Sequence, residues 1–336
     1  MTEFAHRPVM LDEIVGVFAA VPAGIILDAT LGGGGHAEAI LDSRDDLLVL
    51  GVDRDPAALA AATARLERFG SRFRAVHARF DDFARIMPTD QIQRPSIDEL
   101  AASDIDTRHA EQLSGALFDL GVSSPQLDRA ERGFSFRQSG PLDMRMDTTA
   151  PWSASDVVNG YDVDELARII RRYGDERFAT RIARAIVAAR PIETTAELAA
   201  IVTEAIPAAT RRTGGHPATR TFQAIRIEVN AELEALPRAL EGAIEATRPG
   251  GRIAVLSYHS GEDRIAKDVL RRATGACDCP PGLPCVCGAV QTVRLVRGVP
   301  RKASETERSA NPRAASVRLR VGERIEPLTG DAKDGR

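Results

Sequence analysis

Residues 25–37 read Ile-Ile-Leu-Asp-Ala-Thr-Leu-Gly-Gly-Gly-Gly-His-Ala, and no other stretch of the chain restricts its fold as much. An apolar run ends in Asp28, passes through four glycines and enters the helix-like Ala37–Leu41. That order is a strand, a tight turn and a helix N-terminus, the arrangement by which doubly wound α/β proteins hold nucleotide-like ligands. Glycine lets the backbone take left-handed angles and come close to a ligand. A second apolar run, Leu47–Val52, ends in Asp53, about twenty residues past the glycines, where such folds set a carboxylate on ribose hydroxyls. The plainer alternative is a flexible turn with strand-ending aspartates acting as helix caps.

The chain has 336 residues, enough for one large domain or two smaller ones. Its 43% hydrophobic and 27% charged content is ordinary for a globular protein. No run of about 18 apolar residues is present to suggest a membrane span, and the first residues lack an apolar signal core, so a cytoplasmic protein is expected. A net charge of −4 argues against nucleic-acid binding, but the distribution is uneven. Ala205–Ile227 has no acid and carries Arg211, Arg212, Arg220 and Arg226, and basic residues predominate again between Arg294 and Arg324. Such segments can form a cationic face on an acidic protein, or be solvated arginines without a partner.

Cys277, Cys279, Cys285 and Cys287 flank a proline-rich turn. Four thiolates can bind zinc tetrahedrally, but C-x-C is not the usual knuckle spacing. Free thiols and redox pairing remain alternatives, and no metal site is assigned.

Strand-like and helix-like segments alternate up to Phe73–His77. Residues 88–114 read as a polar inserted loop, and a strand resumes at Gly115–Val122, ending in Ser123-Ser124-Pro125-Gln126. From Ser155 to Ala209 the pattern is helical throughout, with Thr194 or Thr195 a candidate N-cap, which suggests an inserted subdomain. A long helix over 219–247, interrupted near Pro237, leads to the strand Arg252–Ser257. Val290–Val296 and Ala315–Val321 suit an antiparallel pair at a sheet edge.

A nicotinamide dehydrogenase is the first rival, because Gly32–Ala37 formally fits G-x-G-x-x-[GA]. Asp28 just before the glycine turn and the antiparallel finish favour S-adenosylmethionine instead. The specific resemblance is carried by His6–Leu11, Asp28–His36, Gly51–Asp55, Asp119–Leu127, Arg132–Phe136, Gly140–Asp147, Ser257–Ser260 and Asn311–Arg320. In these motifs, in this order, the chain resembles the RsmH (MraW) family, bacterial methyltransferases acting on N4 of a cytidine in 16S ribosomal RNA. The 88–114 stretch looks longer than is usual there, and the cysteine cluster is not a general family feature.

The resemblance implies an α/β fold: a Rossmann-like class I S-adenosylmethionine-dependent methyltransferase sheet with an inserted all-helical subdomain. The expected divisions are 1–133 with 218–325 for the methyltransferase domain, 134–217 for substrate recognition and 326–336 as a flexible tail. By similarity, S-adenosylmethionine lies on Gly34, Gly35 and His36, with Asp53 on the ribose, Phe80 along the adenine, and Asp119 and Gln126 completing the pocket. Ser124, Asp143 and His259 are the candidate catalytic residues near the target base. Arg145, Arg211, Arg212 and Arg220 are the candidate RNA contacts. His259 as a structural histidine and Phe80 as a core residue are the plain alternatives. The implied partner is 16S rRNA within the small ribosomal subunit, with no membrane and with a homodimer as a possible state. A non-catalytic RNA-binding assembly factor built on the same scaffold is the alternative from a different functional class.

Overall fold

A computed structural model describes residues 7–82, 86, 112–210, 215–277, 279 and 288–328, without the side chains at positions 124 and 328. The chain divides into two compact units, 1–121 with 235–336, and 122–234.

The first unit is built on seven strands: β1 Gly24–Asp28, β2 Leu47–Asp53, β3 Phe73–His77, β4 Leu113–Asp119, β5 Thr247–Ser257, β6 Gln291–Leu295 and β7 Arg318–Leu328. Their order is β3-β2-β1-β4-β5-β7-β6. The pairs from β3 through β5 are parallel, whereas β7 runs antiparallel to both β5 and β6. The closing strands β6 and β7 form the expected antiparallel pair at the sheet edge, with β7 the inner strand against β5 and β6 outermost. This is a Rossmann-like sheet.

Successive residues of each central strand point to opposite faces. Ile26, Val49, Leu117 and Ala254 enter one core, and Leu27, Leu50, Phe118 and Val255 enter the other. Strands buried on both faces read as continuous apolar runs, which is why β1, β2 and β4 are legible. Helices α1 (Leu11–Ala19), α2 (Gly35–Ser43) and α3 (Pro56–Leu66) supply Phe18, Ile40 and Leu66 to the first core.

The second unit, 122–234, is helical. It contains α4 (Ser124–Asp128), α5 (Ala154–Gly160), α6 (Val163–Gly174), α7 (Ala179–Ala188), α8 (Thr195–Ala205) and α9 (Thr219–Asn230). Capping boxes start α5 at Ser153, α6 at Asp162 and α8 at Thr194. A single core gathers Leu166, Ile170, Ile182, Leu198, Phe222 and Ile225. The unit's edges lie outside the expected 134 and 217, because Val122 and Leu127 at one end and all of α9 at the other pack on this core.

Residues 129–147 are almost wholly irregular but internally tied. Asn230 accepts from the Met146 N–H at 2.9 Å and donates to the Met144 carbonyl at 2.7 Å. A Cβ on Gly140 would stand 1.9 Å from the Ala130 carbonyl oxygen, so only glycine fits this crossing.

The expected long helix is broken at Ala231, not at Pro237. Ala231 takes a left-handed conformation (φ 48°) between α9 and α10 (Glu232–Ala246), and Pro237 lies inside α10. The Asn230 amide turns back to the Arg226 carbonyl at 2.8 Å, and Arg226 clasps Glu232 across the break. In the first unit, α10 from Ala235 onward, α11 (Ser260–Ala273) and the short α12 (Glu305–Ala310) complete the helices. No helix of the described residues is long and apolar enough to cross a membrane.

Candidate active site

In the first unit three aspartates end neighbouring strands: Asp28 on β1, Asp53 on β2 and Asp119 on β4. The sheet order reverses between β1 and β4, so the crevice beyond their carboxyl ends is the topological switch point where open α/β sheets bind ligands.

The turn from β1 into α2 is fastened to all three strands. Thr30 donates its N–H to Asp28 at 3.3 Å and accepts the Asp119 N–H on its hydroxyl at 2.6 Å. Leu31 donates to the Val52 carbonyl at 2.9 Å. Asp53 accepts from Gly32 N–H at 2.8 Å on one oxygen and from Asp55 N–H at 2.9 Å on the other. Each carboxylate oxygen retains lone-pair capacity for a further donor. Asp55 then caps α3 ahead of Pro56.

The four glycines divide into two kinds. A Cβ on Gly33 would meet nothing within 4 Å, so the turn borders open space there. Gly34 is the left-handed N-cap of α2 (φ 76°), and its Cβ would press on Ala62 and Leu66 at 3.2 and 3.1 Å. A Cβ on Gly35 would reach the Pro8 ring at 2.5 Å. Close helix packing therefore accounts for Gly34 and Gly35, and Gly32 and Gly33 form the open cradle. No side chain caps α2, and helix geometry leaves the first-turn N–H groups of Gly35, His36 and Ala37 without intrahelical acceptors.

His36 is buried with Nε2 3.0 Å from the Val9 carbonyl and Nδ1 3.5 Å from Asp119. Tyr258, just past β5, donates its hydroxyl to Asp119 at 2.7 Å. Burial pushes Asp28 up to about 7, with the negative charges of Asp119 and Asp53 adding to it and the Thr30 N–H opposing. Burial raises Asp53 and Asp119 as well, against their hydrogen bonds and the nearby His36. Tyr258 is held well above its ordinary value, by burial first and then by Asp119. The crevice thus carries carboxyl groups whose ionisation a cationic ligand would favour. Phe80, past the end of β3, packs edge-on against Phe118 at 6.2 Å and is half-buried, so one ring serves the core while part stays accessible.

The model of the MraW methylase family matches residues 3–325. The chain belongs to the MraW methylase family. Its relatives match end to end. The protein named Ribosomal RNA small subunit methyltransferase H of Geobacter sulfurreducens is 48% identical over 327 residues, covering 96% of this chain and 99% of the relative. Proteins of the same name from Symbiobacterium thermophilum and Thermobifida fusca are 49% and 51% identical, covering 95% of this chain and 96% and 93% of those relatives.

In the helical unit of this methylase, Asp143 and Arg145 line a cavity of about 550 Å3 with Ser153, Asn159 and Glu193. Arg145 donates to both Asp143 oxygens, at 2.9 and 2.7 Å, and through its own N–H at 2.9 Å. Burial works against the Asp143 carboxylate, but these bonds outweigh it and hold the group below the usual carboxylate range. An acid so bound is a poor proton acceptor. Gln126, in the same unit, lends its amide oxygen to the Ser123 N–H at 3.0 Å in the capping box of α4. The Ser124 side chain lies outside the described residues.

His259 is the N-cap of α11. Its Nδ1 accepts from the N–H groups of Gly261 and Glu262 at 3.1 and 3.4 Å, and Glu262 accepts from the His259 N–H at 3.3 Å. Its Nε2 stands 3.1 Å from Glu262 but outside hydrogen-bonding geometry. The structural alternative for this histidine therefore has a geometric basis, and the catalytic one gains none.

Several arginines of the expected basic segments are engaged by carboxylates or carbonyls. Arg211 and Arg212 lie outside the described residues. Arg220 donates to the Asp175 carbonyl at 3.1 Å, beyond the end of α6, and stands 3.9 Å from Glu176. Arg226 is a bidentate partner of Glu232. Near the last strands, Arg318 and Arg320 pair with Asp263, and Arg252 and Arg294 with Glu323. Cys277 accepts the Cys279 N–H at 3.2 Å, and Cys285 and Cys287 lie outside the described residues.

Proposed function

We propose that this methylase transfers the methyl group of S-adenosylmethionine to N4 of a cytidine in 16S rRNA, in the decoding region of the small ribosomal subunit. The carrying observation is the crevice of the first unit, with an open glycine cradle, an uncapped helix start and three strand-ending aspartates. The names of the end-to-end relatives supply the RNA class.

The residues present fit the cofactor. The first-turn N–H groups of α2 suit the methionine carboxylate. Asp53, anchored by two backbone N–H groups, keeps lone pairs for ribose hydroxyls. Asp28 and Asp119 favour the positively charged ammonium and sulfonium groups, and the accessible part of Phe80 offers a flat wall for adenine. Bound S-adenosylmethionine supplies an electrophilic methyl group.

The chain's work is then positioning, because the N4 lone pair is delocalised into the cytosine ring. The target base must leave any stack to react. Ser124 is the candidate acceptor for the amino group. Arg145, its guanidinium fixed by Asp143, is the candidate contact to phosphate or base, and His259 acts by fixing the start of α11. No strong base is required, since the N4 proton becomes acidic once the nitrogen is methylated.

The test is transfer of radiolabelled methyl from S-adenosylmethionine to small subunits that lack the modification. Incorporation of about one methyl per subunit supports the reading, and no incorporation into subunits or free 16S rRNA overturns it.

A further inference from the structure

The turn from α6 into α7 carries arginines well in excess of its carboxylates. Between Arg168 and Arg190 the sequence holds seven arginines and two acids, Asp175 and Glu176. Arg168 stands 3.4 Å from Glu228, and Arg190 turns inward to the Val158 carbonyl. The other five, Arg171, Arg172, Arg177, Arg181 and Arg184, are all exposed. Among the described residues none of these five has a carboxylate within ion-pair distance. Of the two acids, Asp175 is exposed and makes no ion pair among the described residues, and Glu176 is buried, accepts the Phe178 N–H and stands 3.9 Å from Arg220.

The five lie together. Arg171 donates to the Thr180 hydroxyl at 3.0 Å, which sets the end of α6 beside the first turn of α7. Arg181 and Arg184 follow at i and i+3 on one side of α7, and Arg177 lies in the turn just before its N-cap Phe178. Two guanidinium groups are supported on rings, Arg172 on Tyr173 at 5.3 Å and Arg177 on Phe178 at 4.7 Å, which orders them without cancelling their charge.

Helix stability does not explain this placement. Cations in the last turn of α6 complement its dipole, but α7 has no acid in its first turn and presents Arg181 at its positive end, with Arg177 just before the N-cap. Arg181 and Arg184, like charges at i, i+3, also repel. The face opposes the helix that carries it, and a polyanion would relieve both penalties. Guanidinium forks match phosphate oxygens.

We infer that the α6–α7 arginine face is a surface by which the helical unit grips the RNA phosphate backbone. This rests on the RNA reading above.

The test uses the full chain and a fluorescently labelled 16S rRNA fragment, with affinity measured across a range of KCl concentrations. In the variant carrying Arg177→Gln, Arg181→Gln and Arg184→Gln, the log affinity against log salt slope should fall in magnitude by about 2, for three lost phosphate contacts. The triple lysine variant should keep most of the slope. Unchanged S-adenosylmethionine affinity and thermal unfolding show that the glutamine variant is folded. A folded glutamine variant with wild-type slope overturns the inference, as does weaker binding at unchanged slope. Wild-type RNA binding with lost docking to intact small subunits also overturns it, and would assign the face to an acidic protein. A wild-type chain that shows no salt-dependent RNA binding fails the RNA reading itself.

Discussion

His36 Nδ1 faces the Asp119 carboxylate at 3.5 Å, and the Val9 carbonyl decides what lies between them. A carbonyl only accepts, so His36 Nε2, 3.0 Å away, carries a hydrogen. A neutral imidazole has one N–H, and its Nδ1 would then present a lone pair to the carboxylate. The contact is attractive only with one further proton between the two groups. Tyr258 donates to the other Asp119 oxygen at 2.7 Å, so this carboxyl is held from two sides.

Tyr258→Phe removes one of these supports and should weaken S-adenosylmethionine binding about tenfold, the value of one charge-assisted hydrogen bond. His36→Asn should weaken it similarly. Both act on Asp119, so the double variant should lose less than the sum of the single losses in a calorimetric cycle. Strict additivity would show that the two do not share Asp119.

Asp28 sets a pH dependence. Its carboxyl is raised to about 7 in the folded protein, so it stays protonated where the unfolded chain has already ionised. The stability present below the ordinary carboxylate range is therefore lost as pH rises from about 4 through about 7. Asp28→Asn removes this loss. Relative to wild type the variant should gain on the order of a few kcal/mol in urea unfolding between pH 5 and pH 8. A cationic cofactor beside Asp28 should also release a proton near neutral pH, read as a buffer-dependent binding enthalpy.

Asp53→Ala takes away the acceptor for both Gly32 and Asp55 N–H groups and the proposed ribose contact together. We expect at least a thirtyfold loss of S-adenosylmethionine affinity, about 2 kcal/mol or more, measured by titration. Asp53→Asn keeps acceptor capacity on one side only and should fall between the two.

Gly140→Ala tests the irregular segment of the helical unit. The added methyl would sit 1.9 Å from the Ala130 carbonyl oxygen, backbone that cannot yield without moving the loop. A loss of about 2–3 kcal/mol is expected, seen as a lower thermal midpoint. Gly33→Ala, with open space around it, should leave the midpoint nearly unchanged.

Much of the sheet was legible because its strands are short apolar runs ending in aspartate, and a strand buried on both faces has few other readings. The helical insertion was legible from its spacing and from caps such as Thr194. The side-chain partnerships were not. Arg226 reads as a free cation until the break at Ala231 folds Glu232 onto it, and Arg320 until β7 comes to lie beside α11 and Asp263. His259 occupies the cap position more often held by serine or threonine, so its spacing to Glu262 does not look like a capping box. Tyr258 was visible only as part of a motif, since its partner Asp119 is 139 residues away. The arginines from 171 to 184 do not stand out as a basic run in the sequence because Asp175 and Glu176 fall among them and apolar core positions separate them.

The most direct measurement is mass-spectrometric mapping of small-subunit RNA after incubation with the enzyme and S-adenosylmethionine bearing a deuterated methyl group. We expect one heavy methyl, on the exocyclic nitrogen of a single cytidine in the decoding region of 16S rRNA, and none with Asp53→Ala. A methyl on a ring carbon, on a ribose or on another base, or no methyl at all, contradicts the proposed reaction.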